Sequence, residues 1–374
     1  MAHRERRAPA ADTEAAASPE QAARRGAAHA ALLAWYAANG RDLPWRHTRD
    51  PYAILVSEVM LQQTQVERVL PKYREFLARF PTLAALAAAP VAEVIRAWAP
   101  LGYNVRAVRL RQIARQAVDE FGGALPGTVA GLLALKGIGR YTAGAVACFA
   151  FGAPVATVDT NIRRVLWRVL RGVEPAAWPA GTAAARDALA LAEWALPVAS
   201  AYDWQQALMD LGATICASRR PACERCPLAP CCAALAEVGT VTLFPSGEAL
   251  AALRASRADH APAARRVAES AAPYAVGSDG KSAPAARAPR SPAPPFTSTS
   301  RYFRGRALAA LRALPAGGAL TVAELGPRVK PDWRSGDEAW LRALVTGLAR
   351  DGLVEVRAAA PGAADGAVRV ALPE

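Results

Sequence analysis

Five of the six cysteines of this 374-residue chain fall in one short run, and four of them, Cys216, Cys223, Cys226 and Cys232, set its spacing. The pattern C-x6-C-x2-C-x5-C packs thiols around a C-x2-C step, a common arrangement of metal or cluster ligands. Structural zinc sites usually pair two short Cys/His steps, whereas this spacing is uneven. Four thiolates from one loop suit a [4Fe-4S] cluster. A zinc site or a disulfide pair is the alternative, and Cys231, beside Cys232, is a rival for the fourth ligand. No other single feature narrows the family as far.

The formal net charge of +13 favours a polyanionic partner, most simply nucleic acid. The alternative is the Arg-rich composition of a biased genome. No stretch is long and apolar enough to span a bilayer; residues 143–158 come nearest and are interrupted by Gly144, Gly152 and Pro154. The N-terminus lacks an apolar signal core, so a cytoplasmic location is expected, and reduced thiols fit it. The histidines (His3, His29, His47 and His260) do not pair at ligand spacing, so chemistry that needs histidine is not expected.

Composition divides the chain. Residues 1–27 read as a polar, disordered Ala/Arg-rich tail. Residues 28–236 are helical by pattern, punctuated by Gly and Pro, and predict a compact all-α domain. Residues 237–300 read as a flexible basic linker. Within 301–374, helices are expected over 304–314, from Thr321 as N-cap, and over 338–351. Two alternating strands follow at 353–357 and 367–372 around a Gly/Pro-rich turn. That pattern predicts a small winged-helix-like α+β module.

Leu135-Lys136-Gly137-Ile138-Gly139-Arg140, followed by Tyr141, reads as helix, tight turn, helix. Gly137 and Gly139 let the backbone approach a ligand closely. The free N–H groups of the next helix suit a phosphate. This is the helix-hairpin-helix pattern of sequence-independent DNA binding; an ordinary interhelical turn is the alternative. Further on, Asp159-Thr160-Asn161 opens a basic helix. Taken alone, Asp159 is an N-cap.

Hairpin, carboxylate and cysteine loop in this order resemble the endonuclease III superfamily of base-excision DNA glycosylases, over about residues 30–236. The resemblance implies an all-α core, with a six-helix barrel over about 48–153 and an iron–sulfur domain built from 28–47 plus 154–236. Leu43-Pro44-Trp45-Arg46 and Ser57-Glu58-Val59-Met60-Leu61-Gln62-Gln63-Thr64-Gln65-Val66 are similar to the MutY-type adenine glycosylase branch. There the glutamate, here Glu58, is the general acid that protonates N7 of the flipped adenine. A carboxyl among Leu55, Val59, Met60 and Leu61 would hold its proton through desolvation. On a helix, Glu58, Gln62 and Gln65 would share one face.

The resemblance also gives Asp159 the task of stabilising the oxocarbenium-like sugar or capturing it covalently, with Asn161 orienting Asp159 or water. Tyr141 stands where bifunctional members carry the Schiff-base lysine, so no strong lyase activity is expected. Gln63, with Thr64 beside it, matches the wedge that enters the stack where adenine leaves. Arg46 and Gln206 match positions near the adenine pocket, and Leu135, Gly137 and Gly139 the hairpin contacts. The superfamily's spacing assigns Cys216, Cys223, Cys226 and Cys232 to the cluster, with Arg219, Arg220 and Arg225 near the DNA backbone.

Three departures stand out. Thr160 replaces a glycine common in the branch, Asn104 replaces a tyrosine, and 246–374 does not resemble the Nudix-like domain that reads 8-oxoguanine. The expected protein is a monomeric, nucleoid-associated, monofunctional adenine glycosylase acting on A:G or A:8-oxoguanine pairs in duplex DNA. A thymine or uracil mismatch glycosylase, or a non-catalytic iron–sulfur DNA-binding protein, is the alternative.

Overall fold

The computed structural model describes residues 19–172, 181–235, 295–357 and 368–374. In chain order the helices are α1 (Pro19–Asn39), α2 (Pro51–Leu61), α3 (Val66–Arg79), α4 (Leu83–Ala88), α5 (Val91–Trp98), α6 (Val105–Glu120), α7 (Val129–Ala134), α8 (Arg140–Phe151), α9 (Thr160–Arg171), α10 (Gly181–Ala195) and α11 (Ala201–Thr214). After the cysteine loop and a stretch outside the described residues come α12 (Ser300–Arg312), β1 (Ala319–Thr321), α13 (Val322–Val329), α14 (Glu338–Arg350), β2 (Glu355–Arg357) and β3 (Arg369–Ala371). Among the described residues no strand precedes β1, as the all-α pattern predicts. No described helix is long and apolar enough to cross a membrane.

Three of the expected limits change. Helix α1 begins at Pro19, inside the stretch read as a tail. Alanine and arginine are good helix formers, and Ala28 and Leu32 give the helix an apolar face buried in a core. Helix α2 stops at Leu61, so Gln62 and Gln65 lie beyond it and do not share its face with Glu58. Of the linker expected over 237–300, residues 237–294 lie outside the described residues, but Phe296–Ser298 form a 3-10 turn and α12 already begins at Ser300; the turn over 358–367 lies outside the described residues.

The chain forms two compact units. Residues 19–54, 127–133, 139–172 and 181–235 belong to the first, and 55–126, 134–138, 295–357 and 368–374 to the second. The first is centred on α9, whose apolar face (Ile162, Val165, Leu166 and Val169) packs with Leu32 of α1, Leu191 of α10 and Leu208 and Leu211 of α11. Of its arginines, Arg164 and Arg168 are buried as well, while Arg171 is exposed. Glycines at both α8 and α9 C-termini, Gly152 (φ 70°) and Gly172 (φ 65°), take the left-handed conformation that ends a helix.

In the second unit, Phe76 stands edge-on to Trp98 with ring centroids 5.8 Å apart. The C-terminal segment packs on α5 and α6. Ile95 and Val108 share one apolar core with Leu308 and Leu311 of α12, Leu325 of α13 and Leu348 of α14. Its backbone joins too, the Ala92 N–H donating to the Pro373 carbonyl at 2.8 Å. Thr321 caps α13 as expected: its hydroxyl accepts from the Glu324 N–H at 3.2 Å, and the Glu324 carboxylate accepts from the Thr321 N–H at 2.7 Å. The two expected strands form, and a third, β1, pairs antiparallel with β3 in the order β1-β3-β2. Three residues are too few for β1 to show alternation in sequence.

Candidate active site

Glu58 lies in the second unit on α2, which is apolar and buried along almost its whole length. The residue is 7 % exposed, between the buried Ser57 and Val59. The end of α2 is fixed from a distance. Arg106 of α6 sends Nη1 to the carbonyls of Val59 (3.1 Å), Met60 (3.0 Å) and Gln62, and Nη2 to the Thr64 hydroxyl (3.0 Å). One guanidinium thus takes up the carbonyls that a helix end leaves unpaired and holds the 62–65 turn. Gln63 sits exposed in that turn at φ 55°, a left-handed conformation uncommon for a residue with a side chain. Burial pulls Arg106 down to about 10, with Tyr103 opposing and Arg68 adding to the effect.

The hairpin has the expected form. Leu135 is buried at the end of α7, and the Ile138 N–H donates to its carbonyl at 3.1 Å. Gly137 has φ 103°, so its backbone requires glycine. Gly139 does not: its φ is −89°, and a Cβ there would meet nothing within 4 Å. As N-cap of α8 it leaves open space over free N–H groups. Lys136 donates its N–H to Gln116 at 2.8 Å.

In the first unit, Asp159 caps α9, accepting from the Ile162 N–H at 2.6 Å. Its other oxygen accepts from Asn161 Nδ2 at 3.1 Å. Burial pushes Asp159 above the usual carboxylate range, against the lowering pull of those bonds and of Arg164. Asn161 is held in turn by Arg164 Nη2 at 2.7 Å, and Arg164 Nε donates to the Cys216 carbonyl at 2.7 Å. Gly212 of α11 packs so tightly here that a Cβ would lie 2.7 Å from that of Asn161. The Tyr141 hydroxyl lies 3.8 Å from Met209 Sδ.

Arg46 and Gln206 are brought together: Arg46 Nε donates to Gln206 Oε1 at 2.8 Å. The same guanidinium grips Asp210 through two bonds of 2.8 Å, and Arg41 adds a third of 2.7 Å from Nε. Asp210 is 0 % exposed. Burial alone would raise its carboxyl, but Arg46 and Arg41 outweigh it and leave Asp210 below its usual range. Asp210, Arg106 and Arg164 carry no mark in the sequence. Each is one charged residue within a helix that fixes at least one partner far along the chain.

Cys216, Cys223, Cys226 and Cys232 line one cavity of about 50 Å³ with Arg168, Leu211 and Ile215. Cys231 is not in that lining; its thiol donates to the Leu228 carbonyl at 3.4 Å. Arg168 Nη1 lies 3.5 Å from Cys216 Sγ and donates to the Ala217 carbonyl at 2.8 Å. Burial, with the neighbouring thiols adding to it, pushes Cys226 up to about 11. Among the described residues no group of three His, Cys, Asp or Glu closes on a point that one metal ion could occupy. Four thiols lining one cavity match the four-cysteine donor set of an iron–sulfur cluster.

A hairpin, a capped carboxylate and a cavity of thiols on an all-helical frame define a class that comparison identifies. Residues 56–176 match the model of the HhH-GPD superfamily base excision DNA repair protein. An adenine DNA glycosylase of Mycolicibacterium smegmatis is 49% identical over 201 residues, covering 54% of this chain and 67% of that protein. The adenine DNA glycosylase of Homo sapiens is 44% identical over 225 residues, covering 58% of this chain and 41% of that protein. A solved thermostable thymine-DNA glycosylase superposes with a TM-score of 0.51 at 32% identity, covering 57% of this chain and 96% of that one. The chain belongs to the HhH-GPD superfamily of base excision DNA repair proteins, on its MutY-type branch. The matched region spans well under the full length of the human relative.

Proposed function

We propose that the protein is a monofunctional glycosylase that hydrolyses the N-glycosidic bond of adenine mispaired with guanine or 8-oxoguanine in duplex DNA. The observation that carries this reading is Glu58, a carboxyl buried on an apolar helix beside an exposed turn whose Gln63 is held at φ 55°. Glu58 supplies the proton to adenine N7, which makes the base a competent leaving group. Asp159, oriented by Asn161, faces the positive charge that develops on the sugar. Gln63 fills the stack as the base leaves, and Thr64 fixes its turn. Arg46, locked by Asp210, and Gln206, which accepts from Arg46, border the adenine pocket. The Gly137–Gly139 hairpin and its Leu135 anchor hold a phosphate. Tyr141 offers no amine for a Schiff base, so borohydride should trap no covalent DNA adduct.

Cys216, Cys223, Cys226 and Cys232 would hold a [4Fe-4S] cluster. Four thiolates at uneven spacing on one loop are the donor set of such a cluster. Such a cluster would supply structure, tying the loop that carries Arg219, Arg220 and Arg225 to α9. The helix and strand order of residues 301–374 supports a winged-helix module, and the core supports a six-helix barrel with an iron–sulfur domain. The enzyme would act as a monomer, on DNA of the nucleoid.

The likeness to a thymine-DNA glycosylase favours a second reading, release of thymine or uracil from mispairs with guanine. Single-turnover base release from duplexes carrying A:8-oxoG, A:G, T:G and U:G separates the two. Release of adenine alone supports the main reading. Release of thymine or uracil without adenine supports the second, and release of none favours a binding protein.

A further inference from the structure

We propose that the C-terminal module forms part of the DNA-binding surface, with Arg301 contacting the phosphate backbone beside the Gln63 turn. This rests on the reading of that turn as a DNA wedge. Arg301 begins α12 and is exposed. Its guanidinium carbon stands 4.9 Å from the ring centroid of Tyr103, while Arg106 stands 5.3 Å from the same ring. Arg106 is the residue that holds the 62–65 turn, so the contacts run continuously from the module to the turn.

Tyr103 itself is held at φ 48° and is 39 % exposed. A bulky side chain keeps a left-handed backbone only where its surroundings over-determine it. Two guanidinium contacts, one supplied by the module, do so here. The module is well placed to supply one, because its apolar core includes Ile95 of α5 and Val108 of α6. Arg96 adds a bond from Nη2 to the Leu314 carbonyl at 3.2 Å.

Charge identifies the occupant. Arg68 is exposed in the same region and donates to the Pro100 carbonyl at 2.9 Å. The partners of Arg68, Arg106 and Arg301 among the described residues are carbonyl oxygens, one hydroxyl and aromatic rings; none is a carboxylate. Two like charges on one tyrosine, with Arg68 beside them at the Pro100 carbonyl, repel, and a polyanion relieves that repulsion. Stacking on Tyr103 occupies one face of the Arg301 guanidinium and leaves its N–H edge to solvent, the edge that grips phosphate.

The test is the salt dependence of affinity for an undamaged duplex, measured by fluorescence anisotropy on the full chain and its Arg301→Ala and Arg301→Lys variants. One lost phosphate contact lowers the slope of log K against log [salt] by about 0.9. The affinity advantage of the parent chain over Arg301→Ala should then shrink about 3.5-fold between roughly 50 and 200 mM salt, with Arg301→Lys keeping the parent slope. An Arg301→Ala slope equal to that of the parent overturns the proposal, whether or not affinity falls; Arg301 would then only brace Tyr103. Binding to an undamaged duplex needs no base release. If no base is released but the slope changes, the adenine reading fails and this one stands.

Discussion

The guanidinium of Arg164 holds the side-chain carbonyl of Asn161 at 2.7 Å, and the same group reaches the backbone carbonyl of Cys216. The cysteine loop is therefore tied by one residue to the amide that orients Asp159. Replacing Arg164 by methionine removes both bonds. Charge-assisted hydrogen bonds of this kind contribute about 1.5–3 kcal/mol each. If one is felt at Asp159, adenine release should slow about 10- to 100-fold. Single-turnover kinetics check this, and Arg164→Lys should recover little, because lysine lacks the planar fork that spans two acceptors.

Gly212 and Gly139 separate packing from ligand binding. Gly212→Ala drives a Cβ to 2.7 Å from Asn161 Cβ and 3.2 Å from its Cα, atoms that cannot swing aside. Overpacking of this kind should destabilise the chain by about 1–3 kcal/mol, read by denaturant melts. Gly139→Ala meets nothing within 4 Å, so stability should change by less than about 0.5 kcal/mol. Its new methyl would occupy the space over the α8 N-terminus and should weaken duplex binding in an anisotropy titration.

Asp159 and Asp210 predict opposite pH behaviour. Burial raises Asp159, so the folded chain holds that proton longer than the unfolded one. Stability is then lost as pH rises from the ordinary carboxylate range through the raised value. Asp159→Asn, which keeps an N-cap side chain, should melt higher than the parent at pH 7, with the gain vanishing below about pH 3.9. It should also be inactive. Asp210 is depressed by its arginines after they overcome burial. Its contribution is present above the ordinary range and disappears as pH falls through the lowered value. Asp210→Asn should cost about 3–5 kcal/mol at neutral pH, and less in strong acid. Thermal melts across pH decide both.

Cys231 and Cys232 are neighbours with different surroundings, since only Cys232 lines the cavity. Cys231→Ser should keep the visible absorbance of a thiolate-bound iron–sulfur cluster, and Cys232→Ser should lose it. The reverse result would move the fourth ligand to Cys231.

Local features were readable in the sequence: the hairpin glycines, the cysteine run and the Thr321 cap each depend on residues a few positions apart. Features closed by distant charges were not. Nothing near Gln62 signals that Arg106, 44 residues on, will take its carbonyl and end α2. Arg41 and Asp210 meet across 169 residues. Helical propensity also exceeded expectation at Pro19, because an Ala/Arg composition that suits a tail suits a helix equally once Leu32 has a core to enter. The docking of the C-terminal module had no sequence signal, since Ile95 and Val108 look like any other core positions of α5 and α6.

The most direct test of the account is single-turnover release of adenine from an A:8-oxoguanine or A:G duplex by the full chain and by Glu58→Gln. Release by the parent is expected, with a rate about 10²- to 10⁴-fold lower for Glu58→Gln and binding of the same duplex retained. Adenine release by Glu58→Gln at the parent rate, or none by the parent, would contradict it.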